Sequence, residues 1–261
     1  MTRHVAVLLV AGCLACGREQ AGLLQSGQWI DLTHEFSAET IYWPTAKPFK
    51  LEIVSAERTP AGYYYAANNF TAAEHGGTHL DAPVHFAEGK WTTEQIPLDR
   101  LVGEAVVIDV IAEADADPDY RIDRAALRAW EDGRIRPEST IVLFRTGWSR
   151  RWPDRAAYLG TAQMGPDAVP QLHFPGIDSA AARWLVERKV RAVGIDTPSI
   201  DPGQSRTFPT HQILSGANIP AFENLTNLDR LPPTGSFVVA LPMKIRGGSG
   251  GPLRIVALIP R

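Results

Sequence analysis

Three histidines and one aspartate lie within the twelve-residue stretch HGGTHLDAPVHF, residues 75–86. The chain has only 7 histidines in 261 residues, so this concentration is far above the average of the sequence. No apolar periodicity accounts for the imidazole side chains. This combination of side chains indicates a metal site. Such a site requires the fold to bring the polar groups to one point.

Two glycines and a proline disfavour a helical path through this stretch. A helix would place His75 and His79 on one face, four residues apart. Gly76, Gly77 and Pro83 make that conformation unfavourable. The glycines instead allow a tight backbone turn that carries His75 towards the residues that follow. The stretch therefore predicts a turn followed by an extended segment.

The extended segment predicts which side chains converge. Successive side chains of a strand alternate between its faces, so His79, Asp81 and His85 point one way. A straight strand would separate the backbones of His79 and His85 by about 20 Å, at roughly 3.3 Å per residue. Pro83 favours a bend between them, which would bring His85 beside a metal without making it a ligand. Converging imidazole and carboxylate groups, with no cysteine among them, indicate a site for zinc, manganese or a similar divalent ion.

The first twenty residues have the pattern of an export signal. Arg3 precedes a short apolar run, which is followed by small residues and by both cysteines of the chain, Cys13 and Cys16. The sequence VAGC, ending at Cys13, also resembles a bacterial lipobox, in which the cysteine is lipidated. We expect residues 1–20 to direct export of the protein. The exported protein would then be periplasmic, or it would be attached to a membrane through a lipid anchor alone. A cytoplasmic chain with an apolar tail is the alternative. Residues 28–261 then contain no thiolate ligand.

Cys13→Ala tests the predicted anchor. The substitution removes the thiol that carries the lipid, so fatty-acid labelling of the expressed protein should disappear. The precursor should stay uncleaved or the protein should be released. Equal labelling of the wild type and the variant would exclude Cys13 and make Cys16 the next candidate.

Composition and apolar patterns predict one mixed α/β domain over residues 28–261. The content of 44% hydrophobic and 21% charged residues is ordinary for a globular protein, and a net charge of −3 argues against nucleic acid as a partner. Predicted strands are WIDLTHEF, FKLEIVSAE, GYYYAANNF, EAVVIDVI, STIVLFRTGW, RAVGIDT, FVVALPMKI and LRIVALIPR. Predicted helices are IDRAALRAWEDG, from Asp123 to Gly133, GIDSAAARWLVERKV, with Asp178 near its start, and a short one in THQILSGANIP that Gly216 closes. Strands outnumber helices and alternate with them only partly, which argues against a doubly wound sheet.

His211 and Glu223 are candidates for the second half of the site. One short segment would leave a metal half open, so ligands from elsewhere in the chain are expected. Glu223 follows Ala221 and Phe222 in an apolar run, where a buried carboxylate needs a cationic partner. Taken singly, each of the two is more often a surface or capping group. They are candidates because the cluster at residues 75–86 needs further ligands from elsewhere in the chain.

The twelve-residue stretch matches the H-x-G-T-H-x-D-x-P-x-H-F signature of the cyclase family of metal-dependent hydrolases. That family includes bacterial kynurenine formamidase (arylformamidase) and isatin hydrolase. Three further blocks resemble the family in order and spacing: IDLTHEF, FPGIDSAAARWLVERKVRAVGIDTPSID and THQILSGANIPAFENLTNLDRLP. The resemblance runs from about Trp29 to the C-terminus. It implies the family's compact mixed β/β/α domain and a homodimer.

The resemblance also implies a set of metal ligands. His75, His79 and Asp81 would hold one ion, and His211 would hold a second. Asp81 and Glu223 would bridge the two. Zinc, as one or two ions, is the expected metal, with manganese as the other candidate.

Two further residues gain roles from the resemblance. His85 matches the position that acts as general acid and base. Trp43, in WPTAKPF, matches the tryptophan of a WPGD segment that lines the substrate pocket. This chain lacks the Gly-Asp that follows Trp-Pro, which leaves the metal site untouched and the substrate open.

These features together predict a metal-dependent hydrolase of small aryl amides. The first expectation is an arylformamidase, which converts N-formylkynurenine to kynurenine and formate. The alternative is an isatin hydrolase-like or lactone-opening enzyme of the same family. A rival of another class is a non-catalytic lipoprotein that binds a metal or ligand. His85 argues against this rival, because a binding protein needs the ligands but no general base.

Overall fold

The computed structural model describes residues 26–127 and 140–260. The strands within them are β1 (Gln28–Asp31), β2 (Lys50–Arg58), β3 (Tyr64–Thr71), β4 (His79–Asp81), β5 (Val102–Asp109), β6 (Arg121–Ile122), β7 (Ile141–Arg145), β8 (Gly176–Ile177), β9 (Ala192–Ile195), β10 (Ala221–Glu223), β11 (Ser236–Pro242) and β12 (Gly250–Ile259). The α-helices are α1 (Leu98–Leu101), α2 (Ile111–Ala116), α3 (Arg124–Leu127), α4 (Arg155–Leu159), α5 (Ser179–Glu187) and α6 (Pro209–Gly216).

The long strand β12 closes the central sheet into a barrel. One of its edges pairs with β11, and the other pairs with β4 near its start and with β1 near its end. The strand order β12-β11-β5-β7-β9-β10-β4 therefore returns to β12, with β1 left as an additional strand. Neighbours from β5 to β10 run parallel, and the other pairings of this sheet are antiparallel. The prediction of a mixed α/β domain is confirmed. The closure itself has no signal in local sequence, because it depends on pairing between distant strands.

Apolar side chains fill both faces of the parallel strands. One set of alternating residues, with Leu143 of β7 and Phe222 of β10 among them, lies in the barrel interior. The opposite set, with Val142 and Val193 among them, packs against α5 and α6 on the outside. Parallel strands covered in this way are apolar on both faces, which explains the continuous apolar runs of β5 and β7.

The helices begin where the sequence places their caps. The Asp178 carboxylate accepts a hydrogen bond from the backbone N–H of Ala181, at 2.7 Å, and so caps α5. The Asp123 carboxylate accepts from the N–H groups of Ala125 and Ala126 at the start of α3. The predicted end of that helix, Gly133, lies outside the described residues.

The β2–β3 hairpin pairs only with itself among the described strands. Its apolar side chains, such as Leu51, Ile53 and Phe70, are exposed. The proposed signal segment, residues 1–20, falls outside the described residues. Within the described ones, no helix has the length and apolar character needed to cross a bilayer.

Candidate metal centre

The alternation of side chains along β4 and β10 directs polar groups to one face. The two strands are antiparallel neighbours, and His79 lies opposite Glu223. Leu80 and Phe222 point into the barrel core. Residues on either side of them must therefore point outwards, which places His79, Asp81 and Glu223 together on the outer face.

Helix α6 brings His211 to the same point, and Asp201 fixes its ring. The Asp201 carboxylate accepts hydrogen bonds from the N–H groups of Thr210 and His211 in the first turn of the helix. It also accepts from Nδ1 of His211, at 2.7 Å. Nε2 of the ring is thereby aimed at Oδ2 of Asp81, at 3.0 Å, and at Oε1 of Glu223, at 3.2 Å. A carboxylate behind a histidine is a common arrangement at metal sites.

The glycines before β4 fold the chain as the sequence predicts, and they bring His75 to the same face. Gly77 has φ +57°, and a Cβ on Gly76 would lie 2.0 Å from the Tyr42 ring. Nδ1 of His75 lies 2.6 Å from Oδ1 of Asp81. A Cβ on Gly250 would lie 2.5 Å from Cε1 of His75, so glycine is also required on the far side of the ring.

The five predicted ligand residues form two groups that share Asp81. The ligand atoms of His75, His79 and Asp81 lie within 4.8 Å of one another, and so do those of Asp81, His211 and Glu223. The structure therefore brings together every residue that the sequence proposes as a ligand, although 130 residues separate Asp81 from His211. Which of them bind an ion remains a prediction.

Charge interactions within the cluster are strong because its members are buried. Burial opposes a charge on His211, but hydrogen bonds to Asp201 and Asp81 outweigh it and raise the pKa of His211 well above its ordinary value. Burial also opposes ionisation of Asp81, but the neighbouring histidines, His75 first, hold the pKa of this carboxyl well below its usual range. Burial, followed by the charge of Asp81, raises the pKa of Glu223. The ionised Asp81 thus favours positive charge on its histidine neighbours and disfavours a second negative charge on Glu223.

The donor set fits a divalent ion. Asp81 and Glu223 are each only 4% exposed, and within the described residues no lysine or arginine forms an ion pair with either of them. Buried carboxylates need a cation or hydrogen-bond donors to offset the loss of hydration. Imidazole nitrogen and carboxylate oxygen suit zinc, manganese and similar ions, and the set does not select one of them.

His85 lies beside the cluster and is a member of neither ligand group. The extended path that the sequence predicts as far as His85 is wrong, because β4 ends at Asp81 and Pro83–His85 form a 3₁₀ turn. The predicted bend at Pro83 is present. The His85 ring stacks on that of His75, with centroids 3.8 Å apart. Burial lowers the pKa of His85 to about 4, so its ring is neutral at neutral pH.

A cavity of about 300 Å³ opens over the cluster. Trp43 is part of its wall, and the centroid of its ring lies 6.1 Å from that of Phe208, with the two rings edge to face. Its role in binding a substrate stays a prediction. Phe86 and Phe208 are further wall residues that the sequence analysis did not select. Phe86 ends the twelve-residue signature, whereas the signal of Phe208 is weak, since an isolated phenylalanine more often belongs to a core.

Asn224 is a third residue missed by the sequence analysis. Its side-chain amide donates to the carbonyl of Gly77, at 2.8 Å, and the same carbonyl accepts from Nδ1 of His79 at 2.9 Å. Its φ of +55° lies in the left-handed region that asparagine tolerates better than most residues. Asn224 therefore holds the turn that orients His79.

Comparison of the sequence with known proteins identifies its family and its relatives. The Cyclase family model, with the description "Putative cyclase", matches residues 30–202. The chain belongs to the Cyclase family. One relative, the isatin hydrolase of Roseibium aggregatum, is 35% identical over 210 residues, which cover 77% of each chain. The kynurenine formamidase of Salinibacter ruber is 30% identical over 231 residues, which cover 87% of this chain and 95% of the relative.

A solved structure shows the same fold. Isatin hydrolase A from Ralstonia solanacearum superposes with a TM-score of 0.80 at 36% identity, covering 99% of this chain and 100% of that one. Family membership and the buried donor set together identify a metal-dependent hydrolase of the Cyclase family.

Proposed function

We propose that this protein hydrolyses a small, uncharged cyclic aryl amide of the isatin type. The observation that carries the proposal is the lining of the cavity above the donor cluster. Most of its surface is apolar, and no lysine or arginine stands among the described residues that form it. Its volume of about 300 Å³ is at the lower end of the range for ligand pockets, roughly 300–1,000 Å³.

This lining disfavours N-formylkynurenine, which carries an α-ammonium and an α-carboxylate group. A buried carboxylate without a cationic partner loses hydration that nothing offsets. Ala46 also lines the cavity, at the position of the aspartate in the WPGD segment of the resemblance. An alanine methyl group cannot pair with an ammonium ion. The arylformamidase expectation is thus less favoured than its isatin-type alternative, and the identities of 35% and 36% to isatin hydrolases support the same order.

The chemistry of amide hydrolysis assigns a task to each part of the site. A divalent ion at the cluster would supply Lewis acidity, which polarises a carbonyl and lowers the pKa of water. The aromatic walls hold the planar ring and exclude bulk water. Neutral His85 accepts the proton of the attacking water as the carbon–oxygen bond forms. Its protonated ring has a low pKa, so it returns that proton readily to the nitrogen as the carbon–nitrogen bond breaks.

A comparison of three substrates tests the proposal. We expect kcat/KM to fall from isatin to N-formylaniline and to be lowest for N-formylkynurenine. N-formylaniline shares the formamide with the last compound but lacks its charged amino-acid side chain, so this pair measures the effect of that side chain. The measurement is steady-state hydrolysis by protein loaded with zinc or with manganese. Faster turnover of N-formylkynurenine than of both neutral compounds would overturn the proposal.

Ala46→Asp is the matched variant for this test. A carboxylate at this position would restore a partner for the ammonium group, so the ratio of kcat/KM for N-formylkynurenine over N-formylaniline should rise. An unchanged ratio would show that residue 46 does not contact this part of the substrate.

A further inference from the structure

Each of the three histidines in the cluster has one ring nitrogen aimed at the carboxylates and one aimed away. The outer nitrogen of His79 donates to the carbonyl of Gly77, and that of His211 donates to the carboxylate of Asp201. The outer nitrogen of His75 is Nε2, and it lies 2.9 Å from Oγ of Ser249. His75 thus depends on a hydroxyl group that is 174 residues away in sequence.

Glu74 determines the direction of the hydrogen bond between His75 and Ser249. Oε2 of Glu74 lies 2.7 Å from Oγ of Ser249 and 3.0 Å from its backbone nitrogen. An ionised carboxylate only accepts hydrogen bonds, so the Ser249 hydroxyl donates to Glu74. The hydroxyl oxygen is then left as the acceptor, and Nε2 of His75 must be the donor.

This direction leaves Nδ1 as the ligand nitrogen of His75. Nδ1 is the atom that lies 2.6 Å from Oδ1 of Asp81, at the centre of the first ligand group. A neutral imidazole has one donor and one acceptor nitrogen, and the partner of the donor selects the tautomer. The chain Glu74–Ser249–His75 therefore fixes both the plane of the ring and the nitrogen that is free to bind.

We propose that Ser249 and Glu74 are positioning residues that hold His75 in the orientation and tautomer required for it to bind a divalent ion. The inference rests on the proposed ion site but not on the substrate. It is tested with metal alone, so failure of the isatin-type assignment leaves it intact.

The test is titration of metal-depleted protein with Co²⁺, followed by calorimetry and by the visible absorption of the bound ion. Ser249→Ala should raise the dissociation constant by roughly 10–100-fold, the usual effect of losing a hydrogen-bond partner of a metal ligand. The absorption bands should shift as well, because the ligand geometry changes. Ser249→Thr keeps the hydroxyl and should restore the wild-type affinity and spectrum.

Removing Glu74 tests the direction of the chain. In Glu74→Ala the hydroxyl of Ser249 becomes free to donate to Nε2, so Co²⁺ binding should weaken although Ser249 is intact. In the Ser249→Ala background the same substitution should cause little further loss, since the chain is already broken. Full additivity of the two losses, or unchanged binding in Ser249→Ala, would overturn the proposal.

Thr93 provides a control for a purely structural effect. Its hydroxyl donates hydrogen bonds to the carbonyls of Gly248 and Gly250, on either side of Ser249. No hydrogen bond joins Thr93 to His75 in the described part of the chain. Thr93→Val should lower the melting temperature and leave the Co²⁺ spectrum and affinity near those of the wild type. Equal weakening in Thr93→Val and Ser249→Ala would mean that the segment, and not the hydroxyl, positions His75.

Discussion

His85→Ala should retain near-normal divalent metal and lose roughly 10²–10⁴-fold in turnover, the usual contribution of general acid–base catalysis. Its ring stacks on His75 and lines the cavity, yet it belongs to neither ligand group. Burial keeps the ring neutral at neutral pH, so it is able to accept a proton. The measurements are metal content per chain and kcat on isatin for the purified variant.

The control for His85→Ala is another histidine outside the site. His173 is exposed and paired with Asp119, and His173→Ala should change neither metal content nor kcat. A metal-free His85→Ala protein would make His85 a ligand and would end its assignment as the proton carrier. Unchanged turnover with full metal content would show that another group moves the proton.

Local chemistry explains why half of the site could be predicted from sequence. Gly76, Gly77 and Pro83 restrict the backbone around the histidines, so the convergence of His75 with Asp81 follows from a few residues of chain. His211 and Glu223 could be selected only as chemically suitable groups with a family resemblance. Their placement depends on the register of β10 against β4, which no local pattern specifies.

The supporting residues were beyond sequence reasoning for a related reason. Asp201, Ser249 and Asn224 are polar residues of types that usually lie in turns and caps, and nothing in their neighbourhood marks them. Each acquires its role because a segment from another part of the chain brings a histidine to it. The closure of the barrel through β12 is likewise a property of the whole chain, and that closure positions Ser249 beside His75.

Asp81→Asn should remove nearly all bound metal and lower turnover by about 10⁴-fold or more. Asp81 is the residue shared by both ligand groups, and its two oxygens face different histidines: Oδ1 faces His75 and His79, and Oδ2 faces His211. Asparagine keeps the shape of the side chain but loses the negative charge that holds a cation in a buried site. The charge stabilisation that an ion provides is worth several kcal/mol and would be lost with it.

Glu223→Gln is the matched comparison, because Glu223 belongs only to the group with Asp81 and His211. It should lose less metal than Asp81→Asn, since the group of His75, His79 and Asp81 is intact. Chelator-treated wild type provides the reference for both variants, and Asp81→Asn should match its residual turnover. Metal content per chain, measured beside thermal unfolding curves that exclude misfolding, decides the result. Equal metal loss in the two variants would show that all five residues serve a single ion site, whereas full metal content in Asp81→Asn would remove Asp81 from the ligand set.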